Sequence, residues 1–268
     1  MKLAYFHNKP ELSGDPGLEA ILAGLRSAGC CVYDVTQGLQ PGTGMLLSFG
    51  GDGTFLSAVR YAAEAGVPVA GVNFGRVGFL SDIAPESVVD ALTQGNYEVE
   101  HRNLLRVECL GAEGPGWPYA VNEVSVNRSG EGMLGVSVEL DGVTLPTYWA
   151  DGLLVSTSSG STAYSLSAGG PICTPDLEAF VIAPVAPHNL NMRPLVVPSS
   201  SDIFLKPCDR GGSGVSLALD NRRMTLPGGC TVRVGKAPFK LARVKLTGSN
   251  FIAALNQKLF WGEDLRNK

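Results

Sequence analysis

Apolar positions in the first hundred residues fall into short runs separated by stretches of helical periodicity. Lys2–His7 predicts a strand. Asp15 then stands before Pro16, an N-cap residue followed by proline at the first helical position. Leu18, Ile21, Leu22, Leu25 and Ala28 continue at helical spacing as far as Gly29. Met45–Phe49 reads as a buried strand running into Gly50-Gly51-Asp52-Gly53-Thr54, and Phe55, Leu56, Val59, Ala62 and Ala63 predict a second helix that stops at Gly66. Val67–Val72 predicts another strand, and Glu86–Gln94 a helix entered through Pro85. Such alternation predicts a parallel sheet covered by helices.

Beyond about residue 100 the period shortens to that of strands. The runs are Leu104–Leu110, Tyr119–Val126, Leu134–Leu140, Leu153–Thr157, Phe180–Pro184, Val215–Leu219 and Cys230–Val234. Asp141-Gly142 between two runs is a strong hairpin signal. A helical interruption is expected near Thr162–Ala168, and Asn250–Leu259 returns to helix with Phe251, Leu255 and Leu259 on one face. The expected division is an α/β domain over 1–100 joined by a final helix over 249–268, and a β-rich domain over 101–248.

Composition narrows the function. In 268 residues, 44% are hydrophobic and 17% charged, enough for a sizeable core and against disorder. A net charge of −4 leaves no footprint for nucleic acid or anionic lipid. The opening MKLAYFHNKP carries an apolar run too short for a signal-peptide core, and no stretch reaches membrane-spanning length. The six cysteines form no C-x-x-C pair, so reduced thiols, no structural zinc and a cytoplasmic location are expected.

Three stretches carry the chemistry. In Gly50-Gly51-Asp52-Gly53-Thr54, three glycines let backbone N–H groups approach a ligand, and the helix that follows adds its positive dipole end, which suits phosphate. Asp52 is the odd residue: it either caps the helix or takes a proton or a metal. No G-x-x-x-x-G-K-[ST] exists, and Phe55 breaks the G-x-G-x-x-G pattern, so a P-loop ATPase and an ordinary dinucleotide oxidoreductase both lose ground. The second stretch, 151–171, runs from a strand through a hydroxyl-rich turn with Tyr164 to Gly169-Gly170-Pro171. Its hydroxyls exceed what capping needs and read as a polar pocket wall. The third is Asn122-Glu123, where an Asn on an apolar strand face requires partners that a nucleotide or a cross-strand backbone group would supply.

In this order, with Asn73-Phe74-Gly75-Arg76-Val77-Gly78-Phe79-Leu80 and Pro187-His188-Asn189-Leu190 between and after them, these stretches resemble the NAD kinase family. The string from Gly160 to Pro171 is the specific part; the glycine loop is shared with diacylglycerol, sphingosine and phosphofructokinase relatives. The resemblance implies an α/β N-terminal domain, a β-sandwich-like C-terminal domain and a last helix that returns to the first. It implies transfer of a phosphoryl group from ATP, another nucleoside triphosphate or polyphosphate to the 2′-hydroxyl of the adenosine ribose of NAD. Asp52 would be the general base, and Gly50, Gly51, Gly53 and Thr54 would approach the donor. NAD would meet Asp52, Gly53, Phe79, Asn122, Glu123, Asp151, Ser159, Thr162, Ala163, Tyr164, Ser165, Leu166, Ser167 and Ala186. A divalent metal such as Mg²⁺ and a homodimer or homotetramer are also implied. The sequence departs from the family pattern at Ser158-Ser159, after His188, at Trp149 and at Arg222. Rival readings are a lipid or sugar kinase with the same loop, and a nucleotide-sensing module without turnover.

Overall fold

The computed structural model describes residues 1–75, 78–209 and 214–260. Arg76 and Val77 of the 73–80 stretch, and 261–268 of the expected final helix, lie outside the described residues. The chain forms two compact units, 1–101 with the residues from 241 onward, and 102–240.

In the first unit β1 (Lys2–Phe6), α1 (Pro16–Ser27), β2 (Cys31–Asp34), β3 (Met45–Gly50), α2 (Asp52–Ala62), β4 (Val69–Asn73), α3 (Val88–Gln94) and β5 (Tyr97–Arg102) follow in order. Asp15 caps α1 by accepting from the Leu18 amide at 3.0 Å, and Gly29 leaves the helix at φ +81°, as the spacing predicts. β1, β2, β3 and β4 pair in parallel. Every residue of β3 and β4 is buried, which is why both read as continuous apolar runs rather than alternating ones.

The second unit contains β6 (Leu105–Leu110), β7 (Tyr119–Ala120), β8 (Glu123–Arg128), β9 (Leu134–Leu140), β10 (Val143–Thr144), β11 (Tyr148–Ala150), β12 (Gly152–Thr157), α4 (Tyr164–Ser167), β13 (Ala179–Val185), β14 (Leu195–Pro198), β15 (Ile203–Asp209), β16 (Val215–Leu219), β17 (Arg222–Leu226) and β18 (Thr231–Lys236). One sheet runs β10-β9-β15-β18-β6-β7 with β11 beside β9; the other runs β14-β13-β12-β8-β16-β17. Val107, Val136, Leu205 and Val232 from the first meet Val126, Leu153, Val155 and Leu217 from the second in one core, so the unit is a β-sandwich. Asp141 and Gly142, at φ +49° and +81°, turn β9 into β10.

Two expectations need correction. The run Tyr119–Val126 is not one strand: it breaks at 121–122, because the amides of Val121, Asn122 and Glu123 all donate to the Asp220 carboxylate at 2.8–3.2 Å. The stretch 241–248 does not end the β-rich region either. Leu241–Leu246 is β19, which pairs in parallel with β4 and stands between β4 and β5 in the first sheet. Periodicity marks a strand without naming its neighbours. The last helix, α5 (Phe251–Leu259), is capped by Asn250, which accepts from the Ala253 amide at 2.7 Å, and buries Leu255 in the same unit.

β19 carries a charge into the interior. Arg243 is 3% exposed; it donates to Asp82 at 2.6 Å, to Glu100 at 2.5 Å and to the Leu80 carbonyl at 3.2 and 3.3 Å. Burial opposes the charge, but the two carboxylates prevail and hold its pKa above the ordinary arginine value. Removing one member of such a group strands the others in poor solvent. Arg243→Met is expected to lower the stability of the first unit by about 3 kcal/mol, since both acids keep some exposure. Urea unfolding followed by a probe in that unit checks this, and an unchanged midpoint would contradict it.

Candidate active site

Strand order β2-β1-β3-β4 reverses direction between β1 and β3, and the carboxyl ends of strands at such a switch are where open α/β sheets bind ligands. Gly50 ends β3 there. Thr54 Oγ1 donates to Asn8 Oδ1 at 2.8 Å, tying the start of α2 to the segment leaving β1. Gly50 adopts φ +154°, and a Cβ on it would fall 2.3 Å from Thr54 Oγ1, so glycine is required by the fold itself. At Gly51 and Gly53 a Cβ would meet no heavy atom within 4 Å, so the chain's own packing makes no such demand. Gly51 is the N-cap of α2, whose first-turn amides point out of the helix end.

Asp52 does not cap α2. Its Oδ2 accepts from the Phe79 amide at 2.8 Å, and its Oδ1 from Leu80 at 3.0 Å and Ser81 at 2.8 Å. The strap 78–81 is therefore bound to the carboxylate through its own backbone. Gly78 sits so close that a Cβ would fall 1.9 Å from Oδ1. A carboxylate offers about four lone-pair positions, so one on Oδ2 is left after these three bonds. Phe79, a candidate contact for NAD, is half-buried beside it.

The second unit gathers most of the other candidates at one end of β12. The Asn122 carbonyl accepts from the Thr157 amide at 2.9 Å and lies against Gly160, while Thr157 Oγ1 donates to the Val121 carbonyl at 2.6 Å. Glu123 accepts from the Tyr164 amide, which fastens the 160–167 turn to β8. Several hydroxyls of the turn bond within the unit itself. Ser158 Oγ donates to the Leu177 carbonyl at 2.5 Å, Ser161 Oγ bonds both the amide and carbonyl of Cys173, and Thr162 Oγ1 reaches the Ser159 carbonyl at 3.5 Å. Ser165 Oγ and Glu123 Oε2 are buried without a hydrogen-bond partner. Ser159, Thr162, Ala163 and Leu166 are half-buried, whereas Tyr164 and Ser167 are exposed.

Asp151 and Ala186 do not join this group. Asp151 precedes the other end of β12, roughly 17 Å from Ser156 at strand rise, and pairs with Arg128 at 2.7 Å. Its amide donates to the Val185 carbonyl, next to Ala186. Ala186 holds φ +48°, a conformation uncommon for a residue with a Cβ and a marker of constrained sites. Trp149 packs its indole on Gly135. Arg222 donates to the Trp117 and Tyr119 carbonyls at 2.5 Å each and lies 4.9 Å over the Trp117 ring.

Residues 121–246 match the ATP-NAD kinase C-terminal domain, and residues 32–98 match the ATP-NAD kinase N-terminal domain. An NAD kinase of Flavobacterium psychrophilum is 40% identical over 229 residues, covering 83% of this chain and 78% of the relative. The chain belongs to the NAD kinase family. An Archaeoglobus fulgidus NAD kinase, solved in complex with ATP, superposes with a TM-score of 0.78 at 26% identity, over 97% of this chain and 99% of that one. A yeast NADH kinase, solved with NADH, shares the fold with a TM-score of 0.88 at 22% identity, over 100% of this chain and 89% of the other.

Within this NAD kinase frame, sequence reading passed over Asp220 and Arg243. A signal for Arg243 exists in retrospect: it is a charge inside the apolar run Leu241-Ala242-Arg243-Val244. Asp220 stands at φ +51° in the turn between β16 and β17, where nothing in the neighbouring residues signals its distant partners. Burial, then the nearby Asp220, raises Glu123 from 4.5 to about 8. Burial also raises Asp220, but its three amide donors oppose the shift. Glu123 has one amide donor, so the proton resides there. Between pH 4.5 and about 8 the folded chain holds a proton that the unfolded chain has released, and stability falls as pH rises through that window. Glu123→Gln removes the dependence. The melting temperature of the wild type should therefore decline relative to the variant from pH 5 to 8; parallel curves would refute the assignment.

Proposed function

We propose that this chain transfers the γ-phosphoryl group of ATP to the 2′-hydroxyl of the adenosine ribose of NAD, giving NADP, with Asp52 as the general base. The observation that carries the reading is the Asp52 carboxylate at the carboxyl end of β3, oriented by three amides yet left with one free lone pair. A ribose hydroxyl is a poor acid, and a positioned base that takes its proton late contributes roughly 10²–10⁴-fold. Donor phosphates would approach the amides at the start of α2 past Gly51 and Gly53, with Gly50 and Thr54 shaping the loop. ATP is the donor assigned here; another triphosphate or polyphosphate would meet the same amides.

Asn122, Glu123, Ser159 and the 162–167 turn would hold the dinucleotide, and Phe79 and Gly53 would border it. The buried, unpartnered Ser165 Oγ and Glu123 Oε2 support this, because buried polar atoms need partners and a nucleotide's hydroxyl and amide groups supply them. Among the described residues no three His, Cys, Asp or Glu side chains converge as a metal site. That donor set fits a Mg²⁺ carried chiefly by the donor's phosphates, with at most one or two carboxylates from the chain. When bound, the ion would offset the phosphate charge. The six free thiols suit a reducing cytoplasm.

Asp151 and Ala186 are assigned to the site of a neighbouring copy in a homodimer or homotetramer. Support comes from their distance from the Asn122 group and from exposed apolar side chains in the segment that follows them: Leu190 at 87%, Val196 at 46% and Leu195 at 38%, the last two on the edge strand β14. Light scattering should return a multiple of the 28.1 kDa chain mass, and a monomer at micromolar concentration would remove the assignment.

Asp52→Asn is expected to lower turnover by about 100-fold or more while NAD still binds. It should also cost about 1–3 kcal/mol, because an amide nitrogen then faces backbone N–H groups of the strap. Coupled NADP formation, calorimetric NAD titration and melting, measured together, separate the two effects. Near-normal turnover would exclude Asp52 as the base, and no turnover in the wild type with any donor would favour a nucleotide-sensing module.

A further inference from the structure

The last helix reaches the strap that orients Asp52. Lys258 on α5 donates from Nζ to the Gly78 carbonyl, and its ammonium lies 4.6 Å from the centre of the Phe79 ring. Phe251, seven residues earlier and on the same helix face, packs against that ring with centroids 6.0 Å apart at 46°. Both strap residues border the Asp52 carboxylate: it occupies the space a Cβ on Gly78 would take, and the Phe79 amide donates to it at 2.8 Å. The strap turn is closed by the Gly78 amide on the Ser81 carbonyl at 3.3 Å, and Arg243 holds the Leu80 carbonyl beyond it. Lys258 grips the opposite end. Burial lowers its pKa from 10.5, opposed by the charges of Asp82 and Asp52 and aided by Arg243. Anchoring of α5 does not need this lysine, because Leu255, 1% exposed, seats the helix.

We propose that Lys258 is a positioning residue for phosphoryl transfer, fixing the 78–81 strap and through it the carboxylate that receives the ribose proton; this rests on the reading of Asp52 as the base. A small displacement of a catalytic group costs up to about 10²-fold in rate. Lys258 acts one contact away, so Lys258→Met, which keeps the stem over Phe79 and loses the ammonium, should lower kcat about 10-fold. The KM values for NAD and ATP should stay within about twofold, since ground-state binding is untouched. Lys258→Arg should restore most of the rate, and Lys258→Gln provides a second uncharged variant should the methionine variant melt early.

The deciding measurement is a cycle with Asp52→Asn. If Lys258 works through Asp52, Lys258→Met has no further effect on kcat in the Asp52→Asn background. A full additional loss there, a normal kcat in Lys258→Met, or a raised KM at unchanged kcat would each overturn the proposal. Near-normal turnover of Asp52→Asn alone is a separate outcome: it would remove the base assignment itself, whatever Lys258 does.

Discussion

Three backbone amides converging on one carboxylate organise the carboxyl edge of the first unit's sheet. Hydrogen bonds to a charged acceptor contribute about 1.5–3 kcal/mol each, enough to fold the 79–81 segment around Asp52 rather than leave it in water. Much else in that unit answers to this arrangement. Gly78 must lack a side chain, because the carboxylate occupies the space a Cβ would take. The segment then runs alongside β4, with the Ile83 amide on the Gly71 carbonyl and the Asn73 amide on the Ile83 carbonyl. Arg243 enters the interior where it can satisfy Leu80 and Asp82 together.

The second unit repeats the device with a different purpose. Asp220 takes the amides of residues 121–123 and thereby stops a strand two residues before it would have continued. Asn122 keeps its carbonyl on the Thr157 amide, and Glu123 begins β8 opposite Ser156. Buried beside Asp220, Glu123 becomes the acid that keeps its proton near neutrality. Asp220 thus shapes the backbone and adds to the burial that raises Glu123, whereas Asp52 shapes a backbone and keeps one lone pair free.

How far the sequence could be read follows from the range of each interaction. Local signals were legible: the Asp15-Pro16 entry to α1 and the Asp141-Gly142 turn both depend on neighbours within four residues. The family resemblance was legible because the 160–171 string packs many constraints into a short segment. Long-range partnerships were not. Nothing local tells that Leu241–Leu246 lies beside β4, that Asp52 binds amides 27–29 positions away, or that Asp220 interrupts a run 97–99 positions earlier. The hydroxyls of Ser158 and Ser161 looked available for a ligand for the same reason, since their carbonyl partners lie 12 to 21 residues downstream.

The place of β19 has a bearing on how the protein is made. Its sheet position lies between β4 and β5, yet residues 102–240 separate it in the chain from everything else in that sheet. A ribosome adding about 5–20 residues per second needs roughly 7–28 s to cross that interval. Throughout it, the emerging first hundred residues have β4 and β5 without the strand that joins them, and Asp82 and Glu100 without their arginine. Every residue of the second unit is therefore synthesised before the first sheet receives its last strand.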